Sequence, residues 1–141
     1  MLGYNRVFLD TVPSIYFLDE DVNFGNKVVN IFTEVLESGC EMVTSSITCM
    51  EYLTCPYKTS NTEKEEAFFD FITDCDIQIC PINLEIAKKA AKIRAVYKGF
   101  KAMDALQLAS AYLAGCDLFL TNDKQLRHFK EIKCITVEEL E

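Results

Sequence analysis

The sequence predicts an α/β protein, a single-domain three-layer α/β/α sandwich with a central parallel sheet, and three observations carry that reading. Five short apolar runs of strand-forming residues punctuate the chain, helical patterns fill the gaps, and cap or turn residues mark the joins. Strands alternating with helices in this way build βαβ units, hence a parallel sheet covered on both faces. At 141 residues the chain has ordinary domain size and can bury ~68–70% of its unfolded surface. No Ser- or Gly-rich linker, repeat or low-complexity tract divides it, so residues 1–141 are read as one domain.

Taken in order, "RVFLD" is the first strand, its run Val7, Phe8, Leu9 closed by Asp10, and a turn is expected before "PSIYFL". A helical pattern covers roughly Asn23 to Ser38 and stops at Gly39; "EMVTS" is the second strand, followed by helices at Ser46 to Cys55 and Thr62 to Asp74. Thr62 with Glu65 has the spacing of a capping box. After the strand "IQICP", Asn83 caps a helix that runs to Lys98 beside Gly99. The helix from Ala102 to Ala114 ends at Gly115; "LFLTN" is the fourth strand, a helix-like "KQLRHF" follows Asp123, and "KCITV" is the fifth strand.

Half of the residues are apolar and 26% are charged, the balance of a soluble globular protein. No run approaches the ~18 apolar residues of a membrane span, and the start lacks the basic-then-apolar layout of a leader, so a cytoplasmic protein with no membrane partner is expected. Seven cysteines without a C-x-x-C pair, and a single His, His128, argue against both a disulfide framework and a zinc site. The cysteines are read as small core hydrophobes and His128 as a surface residue. With no nucleophile motif beside His128 there is no Ser-His-Asp arrangement, and none of the five glycines forms a phosphate-cradling loop.

The net charge of −8 excludes a general nucleic-acid coat. Basic residues cluster locally, Lys88, Lys89, Lys92, Arg94, Lys98 and Lys101 falling in one segment. Ile86, Ala90, Ile93 and Tyr97 recur there at helical spacing, so the same segment also reads as the wet face of an amphipathic helix. The two readings are compatible.

Carboxylates raise the sharper question. In an open parallel sheet, ligands sit outside the carboxyl ends of the strands, where helix N-termini also point. Asp10 follows the first strand, Glu51 lies in the helix after "EMVTS", Asp104 opens the helix before the fourth strand, and Asp123 follows that strand. Each has a bland reading as a cap: Asp10 for the next turn, Glu51 with Thr48, Asp104 at a helix start, Asp123 for "KQLRHF". Together, four acids at one edge repel one another unless a divalent cation intervenes. An oxygen-only set points to Mg²⁺ or Mn²⁺.

The ordered motifs "FLDT", "SSITCMEYL" and "KAMDALQLASAYLAGCDLFLTND" resemble the PIN domain, and within it the small bacterial toxins of the VapC type, over essentially the whole chain. The last motif is the most specific. The resemblance implies an acidic metal-binding and catalytic set of Asp10, Glu51, Asp104 and Asp123, supported by Thr11, Thr121 and Asn122. It also implies a Mg²⁺- or Mn²⁺-dependent endoribonuclease, the toxin of a toxin–antitoxin pair, inhibited by a small antitoxin protein and paired as a homodimer. RNA would approach along Lys92, Arg94, Lys98 and Lys101. The family often has Asn or Ser two residues after the first Asp; here that position is Val12, before Pro13, leaving Thr11 to supply the polar partner. Two rivals are weighed beside this: a phospho-acceptor Asp10 as in receiver domains or haloacid-dehalogenase-like phosphatases, the latter contradicted by "DTV" where D-x-D-x-T is needed, and a PIN-like RNA- or protein-binding module without turnover.

Overall fold

The first apolar run becomes the central strand. In the computed structural model, which describes residues 3–139, β1 (Arg6–Leu9) pairs with β2 (Glu41–Ser45) on one side and β4 (Leu118–Thr121) on the other. β3 (Gln78–Cys80) and β5 (Lys133–Thr136) complete a five-stranded, wholly parallel sheet of order β3-β2-β1-β4-β5. Register explains the near-continuous apolar runs. Val43, Phe8, Phe119 and Cys134 lie in one row across four strands and pack under α5 (Leu84–Val96) and α6 (Ala102–Leu113). One residue earlier, Met42, Val7 and Leu118 point the other way, toward α2 (Gly25–Ser38) and Phe71 of α4 (Thr62–Asp74). A strand buried on both faces has no polar side to alternate with. The Phe8 and Phe119 rings stack 5.2 Å apart across the β1–β4 pair.

Gly39 and Gly115 each follow a helix with φ of +78° and +75°, a left-handed geometry that glycine adopts without a Cβ clash. Asn83 caps α5 by accepting the Ile86 N–H at 3.0 Å. Four expectations need correction. The stretch after Asp10 is a helix, α1 (Thr11–Leu18), because Pro13 stands in its first turn, where a missing N–H costs nothing. The cap of α4 is Asn61, which accepts the Lys64 N–H, rather than Thr62. α3 (Ser46–Lys58) is capped by Ser45, not Thr48, and runs past Cys55 through Pro56. The segment after Asp123 is a short 3-10 helix, Lys124–His128.

Cys40, Cys116 and Cys134 are buried as expected, and burial pushes the Cys116 and Cys134 thiols up to about 12. Cys55, by contrast, is exposed. His128 is also exposed. No helix among the described residues is long and apolar enough to cross a membrane.

α5 and α6 form an antiparallel pair: Asn83, Glu85 and Ile86 at the start of α5 share a groove with Ser110, Leu113 and Ala114 at the end of α6. The link through Lys98 to Lys101 therefore stands at the end of the sheet where α6 begins.

Candidate metal centre

Strand order reverses between β1 and β4, and both strands end at the same edge. That switch point is where an open parallel sheet leaves a crevice. Here the crevice is a cleft of ≈ 780 Å³ whose walls include Asp10, Glu51, Asp104 and Asp123, with Val12, Tyr16 and Met103 at its apolar margin.

Asp10 is placed first by backbone, its N–H donating to Leu120 O at 2.9 Å across the switch point. Its Oδ1 accepts the Thr11 N–H at 2.9 Å and Gln107 Nε2 at 3.3 Å, and its Oδ2 accepts the Thr121 hydroxyl at 2.7 Å. Burial pushes the Asp10 carboxyl above its usual value; the Thr121 and Thr11 donors pull it back, and the charge of Asp104 adds to the rise. Glu51, in the second turn of α3, accepts the Thr11 hydroxyl at 2.7 Å. Asp104, half-buried in the first turn of α6, accepts the Lys101 N–H at 3.3 Å. Its carboxyl is also raised, chiefly by burial, with Asp123 and Glu51 adding charge repulsion against the Lys101 N–H. Asp123 accepts the Gln125 N–H at 3.0 Å and is exposed.

The cap and cleft readings thus coexist: Asp10, Asp104 and Asp123 each satisfy a helix N-terminus while facing a common cleft. Glu51 is held by Thr11 and not by a cap. Thr121 touches Asp10 directly and also accepts the Asp123 N–H at 3.1 Å. Thr11 divides its service, its N–H going to Asp10 and its hydroxyl to Glu51. Asn122, next to Asp123 in the chain, lines the same cleft, and its amide donates to the Tyr16 hydroxyl at 2.8 Å. Val12, 37% exposed at the cleft margin, leaves no gap at Asp10, because the second side-chain donor comes from Gln107. Sequence reasoning passed over Gln107. Its only signal is one amide in the apolar run "ALQLASAYL".

None of the salt bridges among the described residues includes any of the four acids. Nor do any three His, Cys, Asp or Glu side chains among the described residues stand together as a ready-made ion cage. The donors are hard oxygens at net negative charge, which suits Mg²⁺ or Mn²⁺ and not zinc. Mg²⁺ dehydrates reluctantly and is commonly held by one or two carboxylates with several waters. A roomy acidic cleft fits that hydrated ion better than a closed cage would.

On the basic segment, Lys89 is committed to Glu131 at 2.7 Å and lies over the Tyr112 ring, and Lys88 pairs with Glu85. Ile86, Ala90 and Ile93 point inward, as their spacing predicts. Lys92 and Arg94 are on the wet face of α5, and Lys98 and Lys101 on the link beside Asp104.

A parallel sheet with this strand order and an acidic cleft at its switch point is the setting in which the PIN domain match falls: it covers residues 7–132, and the chain belongs to the PIN domain family. Among solved structures it is similar to VapBC2 from Rickettsia felis bound to a promoter DNA fragment, with TM-score 0.76 and 13% identity over 93% of this chain and 98% of that one. A toxin-antitoxin complex from Klebsiella pneumoniae gives TM-score 0.69 and 21% identity over 93% and 97% of the two chains. DNA-bound VapBC from Salmonella typhimurium gives TM-score 0.67 and 19% identity over 94% and 98%. At these identities the likeness is one of fold. Comparison with curated proteins gives no match.

Proposed function

We propose that this chain is a Mg²⁺- or Mn²⁺-dependent endoribonuclease, the toxin of a toxin–antitoxin pair, acting as one domain over residues 1–141. The observation that carries the reading is the cleft at the switch point, lined by four carboxylates that no Lys or Arg side chain neutralises by an ion pair among the described residues. Asp10, Glu51, Asp104 and Asp123 would hold the cation. When bound, it supplies an activated water and neutralises charge developing on the phosphoryl oxygens. The chain's own part is to keep its acids aimed: the Thr121 hydroxyl and Thr11 N–H hold Asp10, and the Thr11 hydroxyl holds Glu51. RNA would reach the cleft past Lys98 and Lys101, with Lys92 and Arg94 behind them. The solved structures of similar fold contain toxin–antitoxin complexes, which supports a small antitoxin as partner here. A homodimer working in the cytoplasm follows from the same reading.

Incubation with RNA in Mg²⁺, in Mn²⁺ and in chelator tests it: cleavage in either ion and none in chelator is expected. Either ion should also stabilise the fold, by about 2.7 kcal/mol at a hundredfold excess over its dissociation constant. Melting that stays flat across a wide titration of both ions would count against the site. A second reading, a PIN-like module that binds RNA or protein without turnover, rests on Val12, an apolar side chain at the cleft where the family often has Asn or Ser. RNA binding with no cleavage under any divalent ion would select it.

Replacing Lys92 and Lys98 with Glu should weaken RNA binding and flatten its salt dependence, because each lost phosphate contact releases fewer counterions. Unchanged affinity and slope would reduce the segment to a solvated helix face.

A further inference from the structure

Gln107 is 2% exposed in the middle of α6, where the other buried residues are Ala105, Leu108, Ala109, Ser110 and Ala111. An amide there is expensive unless every hydrogen-bonding position is used, and here its contacts reach three other elements. Oε1 accepts the Ser45 hydroxyl, while Nε2 donates to Thr48 Oγ1 at 3.0 Å and Asp10 Oδ1 at 3.3 Å, with Thr11 Oγ1 at 3.5 Å beside them. Its orientation is fixed by its neighbours. Turned over, the amide would present its oxygen to the Asp10 carboxylate.

The protons of the whole cluster can then be followed. Ser45, whose oxygen already accepts the Ile47 N–H, spends its proton on Gln107. Thr44 shares its one proton between Leu9 O at 2.8 Å and Thr48 Oγ1 at 2.9 Å, so Thr48 keeps its own proton for Thr11 Oγ1, 3.2 Å away. Thr11 gives its proton to Glu51. Ser45, Thr44, Thr48, Gln107, Thr11 and Thr121 are all buried. Donors thus run outward from a buried polar layer to Asp10 and to Glu51, and each carboxylate accepts from it.

Resting on the metal-dependent reading above, we propose that Gln107 is a positioning residue for the ion-binding acids: its amide, anchored on Ser45, fixes the rotamer of Asp10 and, through Thr48 and Thr11, seats Glu51. It need not touch metal or RNA. Outer partners of this kind change metal affinity by about 10–100-fold.

Gln107→Met fills the same volume without donors. Mg²⁺ and Mn²⁺ titrations, followed by melting of wild type and variant, read two quantities: stability in chelator, and the ion concentration at half-maximal stabilisation. A positioning role raises that midpoint by about 10–100-fold, whatever happens in chelator. A purely structural role lowers melting in chelator and leaves the midpoint alone, which would overturn the proposal. Should Gln107→Met not fold, Gln107→Asn, one methylene shorter, cannot span Ser45 and Asp10 together, and the same rise in midpoint is expected of it. A wild type that no divalent ion stabilises would remove the metal-dependent reading and this role with it. A responsive wild type with an unshifted variant removes only the role of Gln107.

Discussion

Asp104→Asn is expected to abolish metal-dependent RNA cleavage and the stabilisation by Mg²⁺, while leaving the metal-free protein at least as stable as the wild type at neutral pH. The loss of cleavage should exceed about 100-fold, since outer partners of a metal site alone account for 10–100-fold. The gain in chelator follows from the raised Asp104 carboxyl. A group whose pKa is raised in the folded state costs stability when ionised; the cost is absent below the unfolded value near 3.9 and fully present above the folded one. Asn removes it while retaining an acceptor for the Lys101 N–H. The advantage of the variant should therefore shrink as pH falls toward about 4. Asp104→Ala separates the two roles, because loss of a cap costs about 0.5–2 kcal/mol with or without metal. Melting of the three proteins in chelator and in Mg²⁺, beside a cleavage assay, decides it: an Asn variant that cleaves and responds to Mg²⁺ like the wild type would show that Asp104 is no ligand.

The second large effect is expected in the core. Phe119 is fully buried on β4 and stacks on Phe8 across the central strand pair, beneath α5 and α6. Phe119→Ala should cost about 3–5 kcal/mol, a large part of the 5–15 kcal/mol that typically holds a domain together. Urea unfolding measures it. A loss below about 1 kcal/mol would mean that the helices close over the cavity or that the ring is not packed as described.

What could be read from sequence follows the range over which each signal acts. Val7, Phe8 and Leu9, or Leu118, Phe119 and Leu120, announce a buried parallel strand by composition alone, and all five strands were legible in that way. The position of Asp10 and Asp123 at strand ends was legible too, because it depends on immediate neighbours. α1 was hidden by Pro13, which reads as a turn unless one knows that Asp10 caps the helix and places the proline in its first turn. The partners of Asp10 were less accessible still. Gln107 is 97 positions from Asp10 and 62 from Ser45, so nothing local distinguishes its amide from an accident in an apolar helix. Asn122 takes its supporting role from the motif alone; the Tyr16 hydroxyl that its amide reaches lies 106 positions away, and no local signal announces it.

The pairing of β1 with β4 also governs how the protein comes into being. Asp10 receives its Thr121 donor from 111 positions away, and the central strand has only β2 beside it until the fourth strand has been made. Contacts of such sequence separation are slow to close and come late in folding. During synthesis the chain can therefore assemble β1, β2, β3 and their helices into an incomplete sheet with one edge of β1 open, but the wall carrying Thr121 and Asp123 is missing from the cleft. On the proposed function, a ribosome would carry the nascent chain through most of its length without an active nuclease at its exit, and slow translation near β4 would delay activity without changing the amount of protein made.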